Sequence, residues 1–422
     1  MAIFFTMLKM FMGFWWLWLP PFLIALFIEL WVKYLKEEAI KKIRWILLEV
    51  RIPRTIEKTP KAMELIFSGL HGIATSVKFL DKYWKGKVQE WFSLEIAGID
   101  GAVYFFIRTP EQFKGLVEAQ IHSQYPEAEI GEVIDYAGNL VKKIPSKTYD
   151  IGGVEFILEK DECYPVRTYL SFDERQKERR LDPISAFLEI MSGLKPEENI
   201  FIQYLIQPVD KEYDKKWRAK GAEIINKLSG KKVEVKKGLL AELFSGLGEF
   251  LVNLFMAVAV YPEWGEAKKE ESKSSASLSS TDKVVVEAID NKISKLAFKT
   301  CIRFAYIAKK DSFNKANISA VMGAFKQFNT VNLNGFKGNG RAGTTADQPR
   351  IVPFIKTRRE FLRKLAFVDR YINRKMSKNK KDFILNIEEL ATIYHYPILV
   401  VETPTMRRVG AKTAEPPISL PI

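Results

Sequence analysis

WFSLEIAGIDGAVYFFIR, residues 91–108, is the stretch on which the fold turns. Trp91 to Ala97 and Ala102 to Arg108 are rich in aromatic and branched apolar residues, and Gly98-Ile99-Asp100-Gly101 is a turn between them. Thr109-Pro110 then opens a helix to about Gln124, and EIGEVIDY follows Pro126 as a further strand. The order strand, turn, strand, helix, strand describes half a sheet with a helix on its face.

Upstream, Glu37 to Ile46 is charged and helical in pattern, LLEVRIP (Leu47 to Pro53) is extended, and Lys58 to Leu80 restarts a helix behind Thr59-Pro60. Downstream, YPVRTYLSF is a strand, Asp182-Pro183 starts a helix to Ser192, NIFIQYLIQPV (Asn199 to Val209) is a strand, and Asp210 to Leu228 is a polar helix. Farther on, LAFKTCIRFAYIA (Leu296 to Ala308), a helix around Asn314 to Phe328 and TVNLNGF repeat the strand, helix, strand order of residues 102–134. Strands interleaved with segregated helices predict an α+β fold built of sheet-helix modules of ferredoxin-like kind.

Residues 11–35, FMGFWWLWLPPFLIALFIELWVKYL, carry only Glu29 and Lys33 as charges and are long enough to cross ~30 Å of hydrocarbon. Trp31, Tyr34 and the basic residues that follow argue for a retained anchor, not a cleaved signal. Only Lys9 precedes the stretch, so the charge bias predicts a single-pass inner-membrane protein with its N-terminus outside and its C-terminal bulk cytoplasmic. Pro20-Pro21 would kink or divide this helix, and a re-entrant hairpin is the alternative arrangement.

The expected organisation is an anchor (1–36), a first cytoplasmic α+β region (37–262), a polar flexible linker (263–282), a second α+β region (283–401) and a proline-rich tail (402–422). Within the first region, Leu240, Phe244, Leu247, Leu251, Leu254 and Val258 mark an apolar helix over 239–260. Glu242 and Glu249 weigh against a second crossing.

Of 422 residues 47% are apolar and 27% charged, a globular composition. The net charge of +14 favours an anionic partner: nucleic acid, acidic lipid or an acidic protein surface. Cys163 and Cys301 are far apart and the three histidines are scattered, so neither a metal site nor a disulfide framework is expected, and the thiols read as buried small hydrophobes. The glycines of Gly335 to Ala342 are spaced like a phosphate loop, but Arg341 stands in place of its lysine and Ala342 in place of its hydroxyl residue. With no nucleophile motif either, the sequence supports neither an enzyme nor a cofactor.

The strongest electrostatic signal is Lys356 to Lys381, with eleven basic residues against Glu360 and Asp369. Phe361, Leu365, Val368 and Ile372 recur at helical intervals, so one face is expected to pack while the basic side chains project away. Lys356, Arg358, Arg359, Arg363, Lys364, Arg370, Arg374 and Lys375 are the candidate contacts to phosphates along DNA, anionic headgroups or an acidic groove on a partner; a merely solvated face is the plain alternative.

Several longer stretches carry a family likeness. WFSLEIAGIDGAVYFFIRTPEQFKGLVEAQIHSQYPEAEI, DPISAFLEIMSGLKPEENIFIQYLIQPV, ILNIEELATIYHYP and AKTAEPPISLP resemble the N-terminal, membrane-proximal region of bacterial conjugation and type IV secretion ATPases of the HerA–FtsK class. In that class a membrane segment and sheet-helix modules precede the motor, and this chain is expected not to carry one. The resemblance therefore implies a non-catalytic component of a DNA- or protein-translocating machine, oligomeric with an ATPase supplied by a separate chain. The tail, through Pro404, Pro416, Pro417 and Leu420, would dock that motor. The rival expectation is a membrane-tethered protein that binds nucleic acid without regard to sequence.

Overall fold

In the computed structural model the stretch 91–108 is a tight hairpin. Asp100 and Gly101, at φ 50° and 82°, form its two-residue loop, the backbone twist that right-twisted strands favour. The structure describes residues 13, 15–53, 58–75, 79–84, 86–140, 144–172, 182–230, 279–346, 353–377 and 382–397. In chain order, α1 (Trp15–Lys41) leads into β1 (Trp45–Arg51), α2 (Lys61–Leu70), α3 (Phe79–Trp84), the hairpin β2 (Phe92–Ile99) and β3 (Ala102–Pro110), α4 (Lys114–Gln124) and β4 (Glu129–Val133). Next come α5 (Tyr136–Leu140), β5 (Tyr149–Leu158), α6 (Ser185–Ser192), β6 (Asn199–Pro208), α7 (Lys211–Leu228) and α8 (Ser280–Ser294). The described part closes with β7 (Ala297–Lys309), α9 (Lys315–Lys326), β8 (Phe336–Gly338), α10 (Pro353–Ile372), β9 (Phe383–Asn386) and α11 (Ile387–Ile393).

The fold is α+β. Its strands form one sheet in the order β4-β1-β3-β2-β6-β7-β5-β8, with β9 added on β7 and every ladder antiparallel. The order repeats: β4-β1-β3-β2 is mirrored by β8-β5-β7-β6, with a helix after the first and third strand of each set. The two sets join through β2 and β6, where Phe92 to Ile99 face Ile206 to Asn199. The sheet does not follow the division expected at 263–282, because β5 and β6 precede that segment yet pair with β7 beyond it. Ser280 to Asp282, expected to end the linker, form the first turn of α8. The apolar stretch 239–260 lies outside the described residues.

Both sheet faces are covered, which is why the central strands read as nearly continuous apolar runs. Leu94, Ile96, Phe105, Ile202, Phe304 and Tyr306 pack on one face beneath α2, α4, α6, α9 and α11. Ala97, Phe106, Phe201, Ala305 and Ile307 occupy the other beneath α5 and α10, meeting Phe367, Val368 and Tyr371. Cys163 and Cys301 are free and buried.

β5 has no counterpart in the sequence reading, because Gly152-Gly153 interrupts its pattern. Those glycines are landing points for helices: a Cβ on Gly152 would lie 2.4 Å from Ile318 of α9, and one on Gly153 would lie 2.7 Å from Phe367 of α10. YPVRTYLSF, expected as a strand, runs as a loop with a single 3-10 turn at Tyr169–Ser171, since its backbone amides are satisfied by α11 side chains. The helix expected over 58–80 stops at Leu70 and passes into a 3-10 turn. The glycine-spaced segment 335–342 is an edge strand on β5 followed by a turn at Asn339, without the helix that a phosphate loop requires.

α1 is one continuous helix of 27 residues containing both Pro20 and Pro21, and it is the one described helix apolar and long enough to cross a membrane. Its last turn rejoins the domain where Ile40 packs on Trp91, Leu205 and Cys301. That is the sheet end at which β1, β2 and β7 begin and β6 finishes.

Candidate functional site

Strand register assembles a polar row on the α10 face. Glu95 of β2 lies opposite Gln203 of β6, Gln203 opposite Arg303 of β7, and Arg303 opposite Glu155 of β5. All four are buried, at 2% exposure or less. Charge at such depth is tolerated only when paired and hydrogen-bonded, and the end of α10 supplies the partners. Arg374 adopts a left-handed φ of 45°, which ends the helical run and turns its side chain back beneath it. Its Nε and Nη2 reach the Glu95 carboxylate at 2.9 and 3.1 Å, and Nη2 also reaches Asp135 at 2.9 Å.

Glu95 accepts further bonds from Ser93 Oγ (2.5 Å), Tyr136 Oη (2.6 Å) and Gln203 Nε2 (3.1 Å). Burial pushes the Glu95 carboxyl up, but the Arg374 guanidinium outweighs it and holds the group below the usual carboxylate range. Tyr136 also meets Tyr371 Oη at 2.7 Å. At the row's other end Arg370 Nε bonds Glu155 at 2.7 Å, while Arg303 bonds Gln203 at 3.0 Å and the carbonyls of Arg370 and Lys375. Glu95 and Glu155 belong to different strand sets, so α10 fastens the two together. Apart from Arg303 Nε, which has no partner among the described residues, these groups satisfy one another, and the chemistry of the network is that of a clamp.

The candidate contacts of the basic segment therefore divide. Arg374 and Arg370 are drawn inward, which removes them from the outward-facing set; the carboxylates beneath α10 were invisible to local periodicity. Lys364 pairs with Asp150 at 2.6 Å, Arg363 donates to the carbonyls of Gly340 and Thr345, Lys375 pairs with Asp369 at 2.8 Å, and Lys356 stands 4.0 Å from Glu360. Arg358 and Arg359 are exposed and form no ion pair among the described residues. The apolar face is corrected as well: Val368 is buried, but Phe361 and Leu365, expected to pack, are 49% and 42% exposed, beside Leu362 at 54%. The packing of helix 353–372 on the sheet is carried by Phe367, Val368 and Tyr371. Pro404, Pro416, Pro417 and Leu420 lie outside the described residues.

A second clamp is built by ILNIEELATIYHYP. Asn386 and Glu389 form a capping box at the start of α11. Glu389 also accepts from Val166 N (2.8 Å) and pairs with Lys292 at 3.0 Å, both side chains fully buried. Here burial wins over Lys292 and the backbone donors, and the Glu389 carboxyl lies above its ordinary range. His395 Nε2 lies 2.7 Å from Asp182. Beside this clamp a cleft of about 610 Å³ opens between residues 165–171, α8 and the loop 329–333. Its lysines are already committed, Lys292 to Glu389 and Lys295 to Glu388. No cluster of three or more His, Cys, Asp or Glu suited to a metal occurs among the described residues.

Both clamps and the whole sheet fall within residues 33–408, which match the model of a family described as a domain of unknown function, DUF8128. The chain belongs to the DUF8128 family. No curated protein matches it. The DUF8128 region begins at Lys33, inside α1, so most of the apolar part of that helix precedes it. What the sequence reading missed in DUF8128 is the polar row. Its signal was a lone polar residue at the centre of each apolar strand, in LEI, VEF, IQY and IRF.

Proposed function

We propose that this protein is a non-catalytic, membrane-anchored scaffold whose cytoplasmic sheet domain holds a partner protein at a set distance from the bilayer. The observation that carries the reading is the division of α10. Its C-terminal end is clamped to the sheet, and its N-terminal half offers Arg358 and Arg359 together with Phe361, Leu362 and Leu365 to solvent. An apolar patch beside two exposed arginines that form no ion pair among the described residues suits a protein surface that is apolar at its centre and acidic at its edge.

The patch lies at the end of the sheet remote from the anchor. Lys364 pairs with Asp150, which stands opposite Ala308, whereas Ile40 packs at Cys301, roughly 23 Å away at about 3.3 Å per strand residue. That separation speaks against lipid as the partner of the patch, and two arginines without an ion pair among the described residues are few against the roughly six to ten phosphate contacts of a strongly salt-dependent DNA binder. A protein partner is therefore preferred over nucleic acid.

The setting comes from the sequence resemblance: a type IV secretion or conjugation-like machine whose ATPase is a separate chain. The strand order β4-β1-β3-β2, with helices after β1 and β3, supports reading each strand set as a ferredoxin-like unit. An inner-membrane location with α1 crossing once and the domain in the cytoplasm belongs to the same proposal. The test is affinity purification of the full chain from detergent-solubilised membranes, beside a Phe361→Ser, Leu362→Ser, Leu365→Ser variant. A Walker-motif ATPase retained by the parent and lost by the variant is the expected result. Equal retention would remove the patch from the mechanism, and no ATPase in either would overturn the motor-positioning role.

A further inference from the structure

The segment after α2 is held against the flank of α1. α3 packs against α1, and the backbone at Gly86 lies directly on the anchor: Gly86 has φ +63°, and a Cβ there would stand 2.4 Å from the carbonyl oxygen of Leu35. Only glycine fits that approach. The bond from Lys87 N to the Asp81 carbonyl (3.0 Å) closes the end of α3 over this contact. The level of Leu35 follows from the sequence around it. The apolar stretch 11–35 ends at Leu35, and Lys36, Glu37, Glu38 and Lys41 follow it along the same helix, so Leu35 stands where the anchor passes from apolar to charged sequence. Tyr34, next to Leu35, lies tilted against Trp31 one turn earlier in the helix.

At that level Trp84 is 81% exposed, beside an anchor surface that is itself exposed. A large indole left in water is costly, whereas at the headgroup level its apolar body and its N–H are both accommodated. We infer that Trp84 inserts into the headgroup layer next to α1, so that the domain touches the membrane at two points and cannot swivel freely about the anchor. The occupant is the lipid surface because the site continues the anchor's own lipid-facing flank. This inference rests on the reading of α1 as a membrane span.

The full chain, reconstituted in bilayers, tests it with a fluorophore on Lys87→Cys, a position that is exposed and leaves Trp84 in place; Cys163 and Cys301 are buried and stay unlabelled. Lipids spin-labelled on the headgroup should quench the probe at 87, and Trp84→Ser should reduce that quenching. A probe on Asp311→Cys, at the remote end of β7, should not respond. A probe on Ile24→Cys should be quenched by labels deep in the acyl chains. Quenching at 24 without quenching at 87, or quenching at 87 that Trp84→Ser leaves unchanged, overturns the second contact while the anchor stands. No quenching at 24 overturns the anchor and the contact together.

Discussion

The C-terminal end of α10 and its N-terminal half carry similar runs of arginine and lysine, yet Arg370 and Arg374 are spent on Glu155 and Glu95 while Arg358 and Arg359 stand in solvent. The difference arises from what lies beneath. Under the first pair are buried carboxylates that have already lost their water, and a bidentate guanidinium restores those lost interactions. The second pair meets no carboxylate among the described residues. A basic helix can thus be a clamp at one end and a presenting surface at the other, and composition does not mark the boundary.

The sharpest way to break this contrast is Arg374→Ala, which strands Glu95 without its cation. A loss of about 3–5 kcal/mol is expected in urea unfolding of the detergent-solubilised chain, with Arg374→Lys recovering only part. A loss below about 1 kcal/mol would mean that the C-terminal end is no clamp.

Next in size is a difference in pH dependence between the two clamps. Glu95 is held below its ordinary range, so its contribution is complete above the unfolded carboxylate value near 4.3 and is lost as pH falls through the lower folded value. Glu389 lies above its ordinary range, so its contribution is present in acid and is lost as pH rises through the folded value. Unfolding measured from pH 3 to 7 should show the penalty of Glu95→Gln growing with pH and that of Glu389→Gln shrinking. Parallel slopes would make the two carboxylates equivalent.

Arg370→Ala should cost less, about 1.5–3 kcal/mol, because Arg303 also faces Glu155 at 3.4 Å and keeps part of the compensation. The smallest effect belongs to the remote half. The triple serine change at Phe361, Leu362 and Leu365 should leave stability within about 1 kcal/mol while abolishing partner retention. Substantial unfolding by that variant would make this half a packed element too.

Much of the sheet was legible because it depends on local signals. The Asp100-Gly101 turn, the apolar runs on either side of it in 91–108 and the Asp210 cap of α7 each act within a few residues. β5 was not legible because Gly152 and Gly153 have no side chains to pattern; their role appears only when Ile318 and Phe367, more than 160 positions later, settle against them. ILNIEELATIYHYP drew notice as family vocabulary, and its physical content is a capping box joined to buried partners at Lys292, Val166 and Asp182.

The sequence by itself determined the apolar helix at the N-terminus, the α+β class and the repeated strand, helix, strand order, since hydrophobic period and turn chemistry operate over a few residues at a time. Tertiary structure alone decided that the two strand sets share one sheet, that Glu95, Gln203, Arg303 and Glu155 form a row, and which arginines of α10 remain outside. Those outcomes depend on register between strands about 100 to 150 residues apart, and register is set by the packing of whole faces.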